Sequence, residues 1–250
     1  MTQSSDKNKP SLKANFPGNV QLISTTRYFN GAGKACSGKT GYTDFNLATH
    51  VGDNPQIVAN NRAQLIQRFN LPAEPKYLEQ VHSNICLDAS SAECVGDAVI
   101  TKEKSVVCAV LTADCLPIFI SNHSGTQVGV AHAGWKGVLN GIIEATIAKF
   151  NQQDLLVHFG PAISQENFEV GQDVFDQFVN KSQTLEKAFI PFKDKYKLNI
   201  YQAASIILND LGVKNISGGD QCTFAQADQY FSYRRDGAQS GRMAHLIWME

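Results

Sequence analysis

One thiol and two imidazoles, Cys115, His82 and His132, are the side chains best suited to joint chemistry. Cys115 ends an apolar run through Thr112-Ala113-Asp114, and Leu116 opens a second run over residues 116–121. After a turn at Gly125, a third run, residues 128–131, delivers His132 into Ala133-Gly134-Trp135-Lys136-Gly137. Strand-like segments that stop abruptly at polar residues beside glycine are where α/β proteins keep their chemistry. Two neutral imidazoles and one thiolate form a borderline-soft set that suits Zn²⁺. Three protein ligands leave a fourth position open, as catalytic zinc requires, and the residual positive charge favours an anionic ligand there, such as hydroxide or phosphate. The same residues support two other readings. Cys115 could be a nucleophile with His132 or His82 as its base, or a buried small hydrophobe beside hydrogen-bonded core histidines.

The elements that must position these residues follow from periodicity and punctuation. Residues 20–28 read as a strand leading into a glycine-rich loop at 31–41. Asp53-Asn54-Pro55 is a strong helix start, and Val58, Leu65, Ile66 and Phe69 recur at helical spacing, predicting a helix over residues 55–69. Residues 77–87 alternate around His82 and predict a strand, as do residues 97–101. Leu139, Ile142, Ile143, Ile147 and Phe150 form one stripe of a helix over residues 137–150. A buried strand at 155–159, a helix at 173–179, a helix over 200–211 ended by Gly212 and a final strand through Ile247 complete the pattern. If strand geometry continues to Cys115, Asp114 points to the opposite face and has a supporting or capping role.

The chain has 250 residues, enough for a substantial core, and a formal net charge of −1, which gives no basic footprint for nucleic acid. Its apolar runs fall short of the ~20 residues of a membrane span, and its polar N-terminus lacks the apolar segment of a secretory signal. Residues 1–18 are read as a flexible tail and residues 19–250 as a single catalytic domain of mixed α/β (α+β) class. The six cysteines (36, 86, 94, 108, 115 and 222) form no CxxC pair, so reduced thiols and a cytoplasmic setting are expected.

Thr112-Ala113-Asp114-Cys115-Leu116-Pro117, the segment from Ala131 to Gly137 and Gln80-Val81-His82 together resemble the multicopper polyphenol oxidase, or laccase-domain, family. Asn46-Leu47, Asn61-Arg62, Asp97-Ala98, Phe168-Glu169-Val170-Gly171, Ser232-Tyr233-Arg234-Arg235 and Gly241-Arg242 match in the same order. Members of that family are described as purine nucleoside phosphorylases, and some carry the label peptidoglycan editing factor. The resemblance implies zinc held by His82, Cys115 and His132, with copper as the older label. It implies phosphorolysis of adenosine, inosine and methylthioadenosine, and adenosine deamination at the same site. The fold it implies is a layered α/β/β/α sandwich similar to the catalytic domain of cytotoxic necrotizing factor toxins.

On the matching segments, Asn46, Arg62, Trp135, Lys136 and Arg234 are candidates for contacting nucleoside or phosphate. Lys136 stands where arginine is frequent, which keeps the charge and loses the planar fork. Against these roles stand a surface ion pair for Arg62, core packing for Trp135 and a solvated pair for Arg234 and Arg235. Cys222 is read as core, and His50, His123, His158 and His245 as structural. The nucleobase deaminase pattern H-x-E…P-C-x-x-C is absent, so any deamination uses a separately built site. Three further functions remain beside the phosphorylase: a metal-free cysteine hydrolase or amidase, a copper oxidase, and a non-catalytic scaffold. The oxidase fits poorly, because paired HxH motifs are lacking and methionines are few.

Overall fold

A computed structural model describes residues 14–28, 42, 45–150 and 154–250. The expected glycine-rich loop at 31–41 and residues 1–13 of the expected tail lie outside that set, whereas Phe16 packs on the core. The strands sort into sheets by alternation. In β3 (Ala98–Thr101), β5 (Leu116–Asn122) and β6 (Val128–Ala133), Val99, Phe119, Val128 and Val130 point one way, while Ala98, Ile100, Ile118, Ile120 and Ala131 point the other. Both faces are therefore apolar, which requires a cover on each side.

The first cover is a sheet of β1 (Val20–Ser24), β12 (Met243–Met249) and β4 (Cys108–Thr112), antiparallel throughout. Its Cys108, Val110, Ile247 and Met249 meet Val99, Phe119 and Val130 between the sheets. Its outer face, Ala109, Leu111, Leu246 and Trp248, is closed by Leu65 and Phe69 of α1 (Pro55–Phe69). The predicted cap of that helix is present, since the Asn54 side chain accepts from the Gln56 amide. The large sheet has the order β11-β7-β5-β6-β3-β2, with β2 at Cys86–Asp88, β7 at Leu155–Phe159 and β11 at Asn215–Gly218. Its second face is covered by α2 (Trp135–Asn140), α3 (Ile142–Ala148), α4 (Gln172–Lys181) and α5 (Ile200–Asp210). A helix, two sheets and a helical layer thus stack as the expected α/β/β/α sandwich of mixed α and β class. A small separate sheet, β8 (Glu169–Val170), β10 (Lys195–Leu198) and β9 (Phe189–Phe192), adds Val170, Leu198 and Phe189 to the core under the helices. Among the described residues no helix is long and apolar enough to cross a membrane.

Three expectations are corrected. The predicted strand over 77–87 is a loop with isolated bridges at Lys76 and Glu79, and only β2 is regular. The single helix over 137–150 is two, because Gly141 takes a left-handed φ of 91° and caps α2 through its N–H to the carbonyls of Gly137 and Val138. Lys181 Nζ donates to the Val138 and Leu139 carbonyls freed at that break. The strand expected over 20–28 stops at Ser24.

Candidate metal centre and its cavity

Each member of the triad arrives from a different local structure. His132 lies near the end of β6, where pairing to β5 and β3 fixes it rigidly. Cys115 sits in the turn between β4 and β5, directly after Asp114, whose φ is 89°. His82 is in the loop before β2 with φ 58°, not within a strand over residues 77–87 as expected. A left-handed φ costs a non-glycine residue about 1–3 kcal/mol, so two of the three ligand segments carry backbone strain at the point of contact.

The ligand atoms of His82, Cys115 and His132 lie within 4.8 Å of one another. Cys115 Sγ is 3.9 Å from His82 Nε2, and the two rings stand edge to face with centroids 4.7 Å apart. Tetrahedral zinc, with bonds of about 2.0–2.3 Å, spaces such atoms by roughly 3.3–3.6 Å. Small inward shifts would close the set around an ion. A Cβ at Gly134 would lie 2.8 Å from Cys115 Sγ and 3.0 Å from the His82 ring, so glycine there keeps this space clear. The donor types, spacing and opening therefore fit a divalent metal.

Electrostatics reinforce the arrangement. Burial alone would raise the Cys115 pKa, but the charge and hydrogen bond of His132, with those of His82, bring it below its ordinary value. Burial would lower the His132 pKa, yet Cys115 and Asp97 push it up. Asp97 accepts from His132 Nδ1 at 2.8 Å and is held in its charged form despite burial. That bond leaves His132 Nε2 as the ring nitrogen available to an ion. Asp114 has both oxygens engaged, since they accept from Thr223 Oγ1 and the Arg234 amide, each at 2.6 Å. It pins the Cys115 turn to α6 (Tyr233–Asp236), the capping role expected of it, though by a left-handed turn rather than strand alternation.

The triad opens into a cavity of about 490 Å³. Its lining includes Trp135, Ile163, Phe168 and Ile200, which belong to or pack on the core beneath the helices, together with His50, Gln80, Tyr233 and Arg242. Three cations line it, each beside a ring: Lys136 over Trp135 at 5.6 Å, Arg234 over Phe168 at 5.4 Å and Arg242 over Tyr233 at 5.7 Å. The only carboxylate among the lining residues is the committed Asp114.

The family model described as multi-copper polyphenol oxidoreductase laccase matches residues 26–250. The chain belongs to this family. It is 42% identical over 243 residues to a purine nucleoside phosphorylase of Haemophilus influenzae, covering 94% of this chain and 97% of that one. It is 43% identical over 213 residues to purine nucleoside phosphorylase YfiH of Escherichia coli, covering 83% and 87%. Among solved structures, Neisseria meningitidis protein NMB0706 superposes with a TM-score of 0.87 at 40% identity, over 97% of this chain and 100% of that one.

Within this family member, the residues singled out from sequence divide. Trp135, Lys136 and Arg234 line the cavity with the triad. Asn46 and Arg62 are not among the lining residues. Asn46 is buried and bonds Asp53 Oδ2, and its Oδ1 accepts from the backbone of Ala48 and Arg242, so it braces the Arg242 segment. Arg62 donates to the Leu47 carbonyl and stacks 3.8 Å from the Tyr77 ring centroid, not in a surface ion pair. Arg235 is turned inward onto the Thr223, Phe224 and Tyr230 carbonyls and Asp236. His245 is a buried bridge between Ser24 and Thr112, and His158 bonds Ser217. His50, read as structural, instead lines the cavity. Asp97, Arg242, Tyr233 and Phe168 gained no role from residue type or spacing, because contacts between segments distant in sequence place them: Asp97 meets His132, Phe168 meets Arg234 and Arg242 is held by Asn46.

Proposed function

We propose that this chain is a zinc-dependent purine nucleoside phosphorylase that cleaves adenosine, inosine and S-methyl-5′-thioadenosine with phosphate, and that the same site deaminates adenosine. The observation that carries this is the meeting of a His-Cys-His donor set with cations and aromatic rings in one cavity. Full-length relatives named purine nucleoside phosphorylase support it. His82, Cys115 and His132 would hold the ion. Once bound, it would supply a Lewis-acid charge that gathers an oxyanion and lowers the pKa of water to ~7. A His₂Cys set also serves copper with a long axial methionine. No methionine is among the lining residues, and Met243 Sδ accepts from the Phe231 amide, which favours zinc.

The chain's own groups do the binding and orienting. Arg242 lines the cavity and donates through Nη1 to the Ser240 and Gly241 carbonyls, which fixes it there. With Lys136 and Arg234 it would bind phosphate and hold it against the ribose C1′. Trp135, Phe168 and Tyr233 would flank the purine, since rings take either purine equally. Burial, then the charges of Arg242 and Arg62, lower the His50 pKa, which favours its neutral form. Its ring N–H can donate to the departing base, and its other nitrogen can accept, which suits both 6-amino and 6-oxo purines.

The test is adenosine turnover with and without phosphate, with separate assays for adenine, ribose 1-phosphate and inosine. Adenine and ribose 1-phosphate should form only with phosphate, inosine without it, and both should cease after chelation and return with Zn²⁺ as one metal per chain is restored. Undiminished ribose 1-phosphate formation by His132→Ala would defeat the triad as the engine.

One observation favours a second reading, a cysteine hydrolase or amidase acting on peptidoglycan precursors: the lowered Cys115 pKa beside a raised His132 resembles an activated nucleophile. Iodoacetamide separates the two. A metal-held thiolate is shielded from alkylation, whereas a nucleophilic Cys115 reacts, and activity is lost with it whether or not zinc is present.

A further inference from the structure

We infer that Asp97 is a positioning residue that sets both metal-binding histidines at once, one through its ring and the other through its backbone. The inference rests on the reading of His82, Cys115 and His132 as a metal site. Asp97 is fully buried immediately before β3. Its Oδ1 accepts from His132 Nδ1 at 2.8 Å and from the His82 amide at 3.0 Å. Its Oδ2 accepts from the Ser83 amide at 2.6 Å, Ser83 Oγ at 2.7 Å and the Val81 amide at 3.2 Å. Two oxygens thus gather donors from both ligand-bearing segments.

Each arm has its own consequence. Donation from His132 Nδ1 fixes the tautomer and turns the Nε2 lone pair toward the ion, and such outer partners also make the ring a stronger ligand. The amides of Val81, His82 and Ser83 curl around the carboxylate as a nest does around an anion. That contact offsets the strain of His82 at φ 58° and aims its ring at Cys115. It also explains why residues 81–83 leave the ladder that alternation predicts: their N–H groups have a charged acceptor instead of a neighbouring strand. The main chain adds a further tie, since the His132 amide donates to the Asp97 carbonyl at 2.7 Å. A carboxylate serving only as a loop anchor would stabilise the fold without setting metal affinity.

The test uses the full chain, with Zn²⁺ alone as the probe and a chromophoric chelator as competitor. Asp97→Asn keeps the shape but turns an amide NH₂ toward groups that are already donors. Its zinc affinity should fall roughly 10- to 100-fold, and the imidazole N–H resonance of His132 Nδ1 should be lost from its downfield position. Ser83→Ala removes one donor to Oδ2 and touches neither ring, so it carries the test if Asp97→Asn does not fold; its zinc affinity should fall several-fold. Lower stability of the zinc-free variants with zinc affinity within twofold of wild type would make Asp97 a loop anchor and overturn the inference. That result leaves the metal reading standing. A wild-type chain that fails to compete for Zn²⁺ would overturn both.

Discussion

Gly134→Ala places a methyl group 2.8 Å from Cys115 Sγ and 3.0 Å from His82 Cδ2. Ordinary contacts between such atoms are about 3.5–4.0 Å, so the overlap approaches ~1 Å on two of the three ligands. The backbone itself tolerates the change, because Gly134 has φ −65° and ψ 162°. Overpacking of this kind costs about 1–3 kcal/mol. In the zinc-free protein, Cys115 and His82 can swing apart and relieve most of it. Closing them around an ion restores the clash, so the cost falls on binding. At about 1.4 kcal/mol per decade, zinc affinity should drop roughly 5- to 150-fold. Chelator competition measures that drop, and urea unfolding of the zinc-free variant measures how much strain the fold absorbs. The reasoning requires reduced affinity with nearly unchanged zinc-free stability. Wild-type affinity in a folded Gly134→Ala protein would mean that the ion, if any, binds away from the gap between Cys115 and His82.

Other perturbations reach different parts of the molecule. Arg242→Gln should raise the KM for phosphate by roughly 10- to 150-fold, the worth of a charged hydrogen bond, while the nucleoside KM holds; an unchanged phosphate KM in steady-state assays would remove Arg242 from the anion site. His245 is buried between Ser24 and Thr112, and its pKa is pushed down to about 3 by burial and then by the His132 charge. A folded pKa below the unfolded value of about 6.5 gives stability that is complete above pH 6.5 and is lost toward pH 3, at up to ~1.4 kcal/mol per pH unit. Urea unfolding of wild type and His245→Gln across that window should show a flatter decline for the variant, and parallel slopes would contradict the assignment. Gly141→Ala, at φ 91°, should destabilise the chain by about 1 kcal/mol and shift the thermal midpoint without changing zinc affinity.

Periodicity read the layers well because both faces of β3, β5 and β6 are buried, and alternation there is a matter of which core each residue enters. The α1 start was legible for a local reason: Asn54 and Pro55 act within one turn. Residues 77–87 alternate like a strand, but a strand needs a neighbour for its amides, and those of Val81, His82 and Ser83 find the Asp97 carboxylate. Nothing local to residues 81–83 announces an acceptor fourteen or more positions away. The stripe from Leu139 to Phe150 persists through Gly141, which hides the break between α2 and α3. Cys115 and His132 could be paired from sequence because they flank one hairpin. Arg242 could not, since it reaches the cavity from the start of the last strand, braced by Asn46.

The names carried by this family and by its members point to different chemistry, and the cavity's charge bears on the choice. Lys136, Arg234 and Arg242 line it, and the oxygens of Asp114 are already engaged by Thr223 and the Arg234 amide. The field is therefore positive before any metal is added, and a divalent ion on one thiolate and two neutral rings makes it more so. A neutral phenol gains little from such a field, and its oxidation through several coppers would call for several ligand clusters. Among the described residues there is one group of this kind. A phosphate dianion, by contrast, is stabilised by each of these charges, and more strongly in a partly enclosed site than in water. Under the proposed function, the rings beside these cations would be the complement of the other substrate. A purine offers two faces for stacking whatever its 6-substituent, so a site that grips the anion tightly and the base by its faces would accept several nucleosides with one co-substrate. On that logic, raising ionic strength should weaken phosphate binding far more than nucleoside binding, and equal salt sensitivity of the two KM values would argue that the cations serve the fold and not the anion.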